Sequence, residues 1–243
     1  MRVTVLGSGD AFSGCGCNAA YMVDTHALVD CGAPVHALVR RAALDLTQLR
    51  LILVTHFHAD HTFMLPMVIG AVALTGDPVA AGLTIAGPLG TREYVRRLIS
   101  DGYGAHLLSM IEERIAPRFV GLQDGDDVEL GGYRVRAHAV VHSLGPSLAY
   151  RLTDPAGATV GFSGDSALCP GLRLAIAGCD LFVCECTGWG RPQPGGHLWS
   201  DEVAELMAAN PGVTFLLSHL SERHTLPGAL IAHDLLSLDV SPH

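Results

Sequence analysis

The run His56-Phe57-His58-Ala59-Asp60-His61 decides how this chain is read. It places three imidazoles and a carboxylate together, directly after the apolar stretch Leu51-Ile52-Leu53-Val54. So many polar heads do not find ordinary core partners, and a metal centre is the economical explanation. In extended backbone, side chains two apart point the same way, so His56 and His58 can grip one cation together; on a helix they would lie on nearly opposite faces. The motif is therefore a loop fed by a strand, unlike the helical H-E-x-x-H arrangement. The apolar residues 63–74 predict a helix, and where the chain turns into it Asp60 and His61 swing toward a second cation. One short motif feeds two metals.

Length and composition set the frame. With 243 residues, 28 glycines and 49% hydrophobic side chains, the chain suffices for one large buried domain spanning 1–243, and is too short for two ordinary domains with a linker. A formal net charge of −9 argues against a broad electrostatic grip on RNA or DNA, which needs a basic face. A small anion held at the metals remains compatible with it. The first residues read directly as a strand, with no charged leader ahead of an apolar signal region. The most apolar stretch, 63–74, contains Pro66 and falls well below the roughly 20 residues needed to cross a bilayer. A soluble, cytoplasmic protein without membrane contact is expected. Seven cysteines do not resemble the disulfide framework of a small secreted domain. Cys15 and Cys17, like Cys184 and Cys186, are spaced one apart rather than as C-x-x-C, so reduced structural thiols are expected, with a metal clip at Cys15/Cys17 the sharper alternative.

Hydrophobic periodicity predicts strands at 2–6, 20–23, 27–30, 51–54 and 83–86, with helices at 34–44, 63–74, 91–99 and 105–115. Strands follow at 118–122, 133–141, 147–153, 159–162, 181–184, 213–217 and 235–240, with one helix at 201–209 for which Ser200 is the candidate cap. Residues 70–81 and 103–109 are expected to supply pocket-shaping loops. Mixed strands and helices without repeats or low-complexity tracts suggest an α/β architecture of two sheets packed together with helices outside. The glycine-rich segment 7–16 follows a strand but lacks the lysine of a phosphate loop, and reads as a turn approaching the site.

Three later residues complete the constellation. His142, Asp165 and His219 each stand where a strand gives way to a loop, and loops at one end of a rigid sheet converge from distant sequence positions. His138, four residues before His142, is the rival for that position.

Taken in order, G-S-G-D-A-F at 7–12, D-C-G-A at 30–33, the H-x-H-x-D-H loop, G-P-x-G-T at 87–91, His142 with A-Y-R at 149–151, S-G-D at 163–165 and S-H-L-S at 218–221 resemble the metallo-β-lactamase superfamily, and within it the ribonuclease Z-like hydrolases. The resemblance implies an αββα sandwich of two mixed sheets. It also implies one metal on His56, His58 and His142, a second on Asp60, His61 and His219, and Asp165 bridging both. Imidazole and carboxylate donors suit zinc, and manganese or iron as well. Asp165 stands where binuclear β-lactamases resemble one another in using cysteine, which disfavours antibiotic cleavage.

The resemblance further implies that His197, in a loop ahead of the helix at 201–209, contacts phosphate and donates a proton to the leaving oxygen. Asp60 doubles as metal ligand and orienter of the attacking water, and Glu185 is either the partner of His197 or a buried structural carboxylate. Ribonuclease Z carries a long arm for tRNA between the strand-end histidine and the S-G-D aspartate, whereas 142–165 leaves room only for a hairpin. A small phosphodiester or nucleotide is the expected substrate and a long tRNA is not. Hydrolysis of an ester, thioester or lactone on the same metals is the alternative, and a non-catalytic metabolite-binding protein the reading from another class. Paired subunits are common among resembling proteins, and the apolar helix at 63–74 offers an interface for a homodimer. His26, His36, His106, His224, His233 and His243 have no partners at useful spacing.

Overall fold

The computed structural model describes residues 1–75, 82–142 and 145–242. Its first sheet is built from β1 Arg2–Gly7, β2 Ala20–Val23, β3 Ala27–Val29, β4 Leu51–Leu53, β5 Thr84–Pro88 and β6 Arg118–Leu122. The second is built from β7 Asp127–Leu130, β8 Tyr133–Val140, β9 Ser147–Thr153, β10 Thr159–Phe162, β11 Leu181–Glu185, β12 Thr214–Ser218 and β13 Leu230–Ile231, and the last strand, β14 Ser237–Asp239, returns to the first. The orders are β14-β1-β2-β3-β4-β5-β6 and β13-β12-β11-β10-β9-β8-β7. In each sheet one half is parallel, β3 to β6 and β10 to β13, and the rest antiparallel.

The period of two along each strand sorts side chains between layers. Leu51 and Leu53 join Val3, Val5, Tyr21 and Val29 against Val135, Tyr150, Phe162 and Val183 of the facing sheet. Ile52 and Val54 point the other way, under α1 Val35–Arg41, α3 Leu65–Thr75 and α4 Thr91–Arg114. Phe182, Cys184, Phe215 and Leu217 meet α5 Pro170–Ile176 and α6 Ser200–Ala209 in the same manner. Parallel strands covered on both faces must be apolar on both, which is why 51–54 reads as an unbroken hydrophobic run. This is the αββα sandwich of the metallo-β-lactamase fold.

Several expectations are corrected. The helix expected at 63–74 is α3, and a separate turn, α2 Ala59–Thr62, precedes it, so Asp60 and His61 stand on a helical turn rather than before one. The helices at 91–99 and 105–115 are joined in α4, bent at Gly104, whose φ of 77° breaks the helical backbone. The loop expected at 103–109 is therefore helical, residues 70–75 belong to α3, and 76–81 lie outside the described residues. Ser200 does not cap α6. The turn begins at Trp199, whose N–H donates to Glu202 Oε2 at 3.0 Å, while Ser200 Oγ accepts from Gly190 N at 2.8 Å. The elements β7, α5 and β13, of four, seven and two residues, are too short to establish a period.

Candidate metal centre

β8 and β10 both run antiparallel to β9, and β10, β11 and β12 run parallel, so the carboxyl ends of all four emerge on one side of the second sheet. There they meet the loop that leaves β4. His58 has extended backbone (φ −67°, ψ 153°) and starts α2, so His56 and His58 share a face while Asp60 and His61 turn away along the helix. The loop is pinned from outside. The Phe57 ring stacks on Tyr94 at 4.6 Å, Tyr94 Oη donates to Phe57 O, and Thr62 Oγ1 donates to His58 O. From inside, Cys31 N donates to His61 O at 2.7 Å, and a Cβ on Gly32 would overlap the Asp60 carbonyl, which explains glycine in D-C-G-A.

Three donor groups form at this rim, two of them sharing Asp165 and a third made of Glu185, His197 and His219. In the first, His142 Nε2 lies 3.1 Å from His58 Nδ1, and Asp165 Oδ2 is 3.7 Å from both His142 Nε2 and His56 Nε2. In the second, Asp60 Oδ2 is 3.2 Å from His219 Nε2 and 3.4 Å from His61 Nε2, with Asp165 Oδ1 3.2 Å from His61 Nε2. Asp165 belongs to both, and the donor atoms within each group lie within 4.8 Å of one another. His138 is not among them: it lies on β8 away from the site, where burial and the nearby Arg151 lower its pKa. Cys15 and Cys17 form no such group among the described residues, and every cysteine is a free thiol.

The donor set fits a cation. His56 Nε2, His61 Nε2 and Asp165 Oδ1 are buried without any hydrogen bond. Leaving such atoms unpaired costs about 1–3 kcal/mol each, a penalty that divalent metal coordination removes. Burial opposes charge on Asp165, yet the imidazoles of His219 and His61 hold its carboxyl well below the usual range. Burial likewise opposes the charged form of Asp60, and the adjacent imidazoles of His219 and His61 outweigh it. Burial disfavours protonated His61 and His219, but the surrounding carboxylates raise both. Burial, with His61 beside it, pushes His56 down to about 2, leaving it a neutral donor. The pocket is thus anionic enough to attract positive charge and neutral enough at His56 to offer a lone pair.

Residues missed in the sequence support these donors from behind. Asp30, in the left-handed region at φ 56°, accepts from Thr55 N and Thr55 Oγ1, each at 2.8 Å, and from His61 Nδ1 at 2.7 Å. Thr55 Oγ1 in turn lies 3.1 Å from His56 Nδ1. Gly196 O accepts from His142 Nδ1 at 2.8 Å. The D-C-G-A motif was the only signal for Asp30; nothing local marked Thr55 or Gly196. His219 is also left-handed (φ 54°), a strained backbone of the kind that gathers at functional sites.

His197 stands over the rim. Its Nδ1 is 3.2 Å from both oxygens of Glu185 and 3.9 Å from Asp165 Oδ2, and its ring stacks on His219 at 5.5 Å. Burial lowers its pKa, but the hydrogen bond and charge of Glu185 win and raise it to about 9. Of the two readings of Glu185, partner and structural carboxylate, the geometry combines both, since Ser166 N also donates to it at 2.6 Å.

The model of the Beta-lactamase superfamily domain matches residues 25–220. The chain belongs to the beta-lactamase superfamily. Its superfamily relatives include the ribonuclease Z of Methanosarcina acetivorans, 27% identical and aligned over 99% of this chain and 98% of that one. Among solved structures, the short form of human tRNase Z superposes with a TM-score of 0.78 at 20% identity, covering 99% of both chains. A diphosphatase of the PhnP family gives 0.70 at 17% identity, covering 98% of this chain and 97% of that one. Superfamily membership sets the protein among metal-dependent hydrolases. Among the described residues, no helix is long and apolar enough to cross a membrane.

Proposed function

We propose that the protein is a binuclear-metal phosphodiesterase acting on a small phosphodiester or nucleotide. His56, His58 and His142 would hold one divalent cation and Asp60, His61 and His219 the other, with Asp165 shared; zinc is the default for this nitrogen and oxygen set, manganese or iron the alternatives. When bound, such a pair supplies an acidified water and neutralises charge that builds on phosphoryl oxygens. The observation that carries the phosphodiester reading is His197, anchored by Glu185 beside the shared Asp165. Glu185 accepts from Nδ1–H and raises the ring's pKa to about 9, so it is the protonated ring, with Nε2–H free, that offers a proton to a leaving oxygen. Asp60 accepts a hydrogen bond from the attacking water and so fixes its direction. A poor leaving group such as a ribose oxygen needs that proton far more than an activated acyl group does.

What joins His142 to Asp165 supports the small-substrate reading. Beyond residues 143 and 144, β9 and β10 form a plain hairpin closed by Asp154, whose Oδ1 accepts from Ala156 N and Ala158 N. The alignment to the archaeal ribonuclease Z spans 314 positions against 243 residues here, so at least 71 positions of that relative have no counterpart in this chain. A shorter chain with net charge −9 favours small substrates over tRNA.

The test compares bis-p-nitrophenyl phosphate, cyclic nucleotides, dinucleotides, a tRNA precursor and an acyl lactone, in wild type and His197→Ala. Turnover of the small phosphodiesters with kcat reduced about 10²–10⁴-fold in the variant is expected for a lost general acid. Turnover of the lactone alone, at full rate in the variant, would move the protein to acyl hydrolysis. Activity confined to the tRNA precursor would overturn the size argument.

A further inference from the structure

Each sheet contributes a carboxylate that supports two imidazoles of the site, one directly and one through a threonine hydroxyl. In the first sheet Asp30 takes His61 Nδ1 directly and reaches His56 Nδ1 through Thr55 Oγ1. In the second, Glu185 takes His197 Nδ1 directly, and Thr187 Oγ1 lies 2.8 Å from Glu185 Oε2 and 2.9 Å from His219 Nδ1. We propose that Thr187 is a positioning residue whose hydroxyl locks His219 with its Nε2 lone pair facing Asp60 and Asp165, and so ties that metal ligand to the Glu185–His197 pair.

The assignment follows from proton counting. An ionised carboxylate only accepts, and a hydroxyl has one proton. Thr187 donates to Glu185 Oε2, with the His219 main-chain carbonyl at 3.1 Å as the competing acceptor. Whichever oxygen takes the proton, Thr187 Oγ1 is left with lone pairs toward His219 Nδ1, so the imidazole donates there. Nδ1–H then fixes Nε2 as the unprotonated nitrogen, and Nε2 is the atom 3.2 Å from Asp60 Oδ2 and 3.4 Å from Asp165 Oδ2. The other inward-facing Nε2 atoms obey the same rule, with Nδ1 engaged by Thr55, Asp30 and Gly196 O for His56, His61 and His142.

The role rests on the two-metal reading proposed above, but the ring state of His219 does not. The experiment uses the full chain as Thr187→Val, which keeps the shape and removes the hydroxyl, and Thr187→Ser, which restores it. The first measurement is the ¹⁵N shift pair of the His219 ring in metal-free protein, at a pH where the ring is neutral. Wild type and Thr187→Ser should show a protonated Nδ1, and Thr187→Val a mixture of tautomers. The second is zinc affinity by chelator competition, with the weaker-bound equivalent loosened about 10–100-fold in Thr187→Val and within about threefold of wild type in Thr187→Ser. A single Nδ1–H tautomer in Thr187→Val, or equal loss in the valine and serine variants, would overturn the proposal. A wild-type chain that took up fewer than two zinc ions would instead count against the two-metal reading, while the ring measurement would still decide Thr187.

Discussion

Asp30→Asn changes one oxygen to an amide nitrogen in a residue 1% exposed, and its consequences can be followed atom by atom. Asp30 now accepts three hydrogen bonds, from Thr55 N, Thr55 Oγ1 and His61 Nδ1. In the asparagine, Oδ1 keeps the bond from Thr55 N, and the amide N–H₂ faces the other two donors. Thr55 must then turn its proton toward His56 Nδ1, and His61 Nδ1 must become an acceptor. Both rings are driven to the Nε2–H tautomer, which puts a proton where each should offer a lone pair. Hydrogen bonds to a charged group contribute about 1.5–3 kcal/mol each, so the metal-free protein should lose on the order of 3 kcal/mol. Misoriented histidines in both groups should weaken each metal about 10–100-fold. Chelator competition measures the affinities and thermal unfolding of metal-free protein the stability. Zinc affinity within twofold of wild type would refute the view that Asp30 orients these rings.

Three further outcomes are expected. The general-acid form of His197 is the protonated one, and its pKa is raised, so activity should persist below and fall as pH rises toward about 9; Glu185→Gln should move that alkaline limb of the kcat profile to lower pH, and an unmoved limb would exclude His197 as the titrating group. Gly32→Ala forces a methyl into the Asp60 carbonyl, so melting should drop by an amount consistent with about 1–3 kcal/mol and the metal held by Asp60 and His61 should be lost first, as metal content per chain would report. Phe162→Ala removes a ring 1% exposed that packs on Tyr21 at 5.6 Å, and urea unfolding should show a loss of about 3–5 kcal/mol.

Much of this was legible before any coordinates. An unbroken apolar run followed by H-x-H-x-D-H points to a buried strand and a loop of potential donors, since only extended backbone puts His56 and His58 on one face. Strand-end positions sufficed to place His142, Asp165 and His219 at the same rim. What stayed hidden has physical reasons. Thr55 and Thr187 act through hydroxyl orientation, which no residue pattern encodes, and Gly196 acts through its carbonyl, which every residue has. The turn α2 was missed because nothing in the residue pattern separates it from the helix that follows; Thr62 Oγ1 closes on His58 O. Ser200 looked like a cap by residue type, yet its hydroxyl is occupied by Gly190 N, and Glu202 closes the turn on Trp199 instead.

The central claim is that two cations share Asp165 between two histidine-rich groups. Anomalous scattering at the zinc edge from crystals of the zinc-loaded protein tests it most directly. Two peaks roughly 3.5–4 Å apart are expected, one touching His56, His58 and His142, the other Asp60, His61 and His219, with Asp165 reaching both. A single peak, or density at Cys15 and Cys17 with none at Asp165, would contradict it.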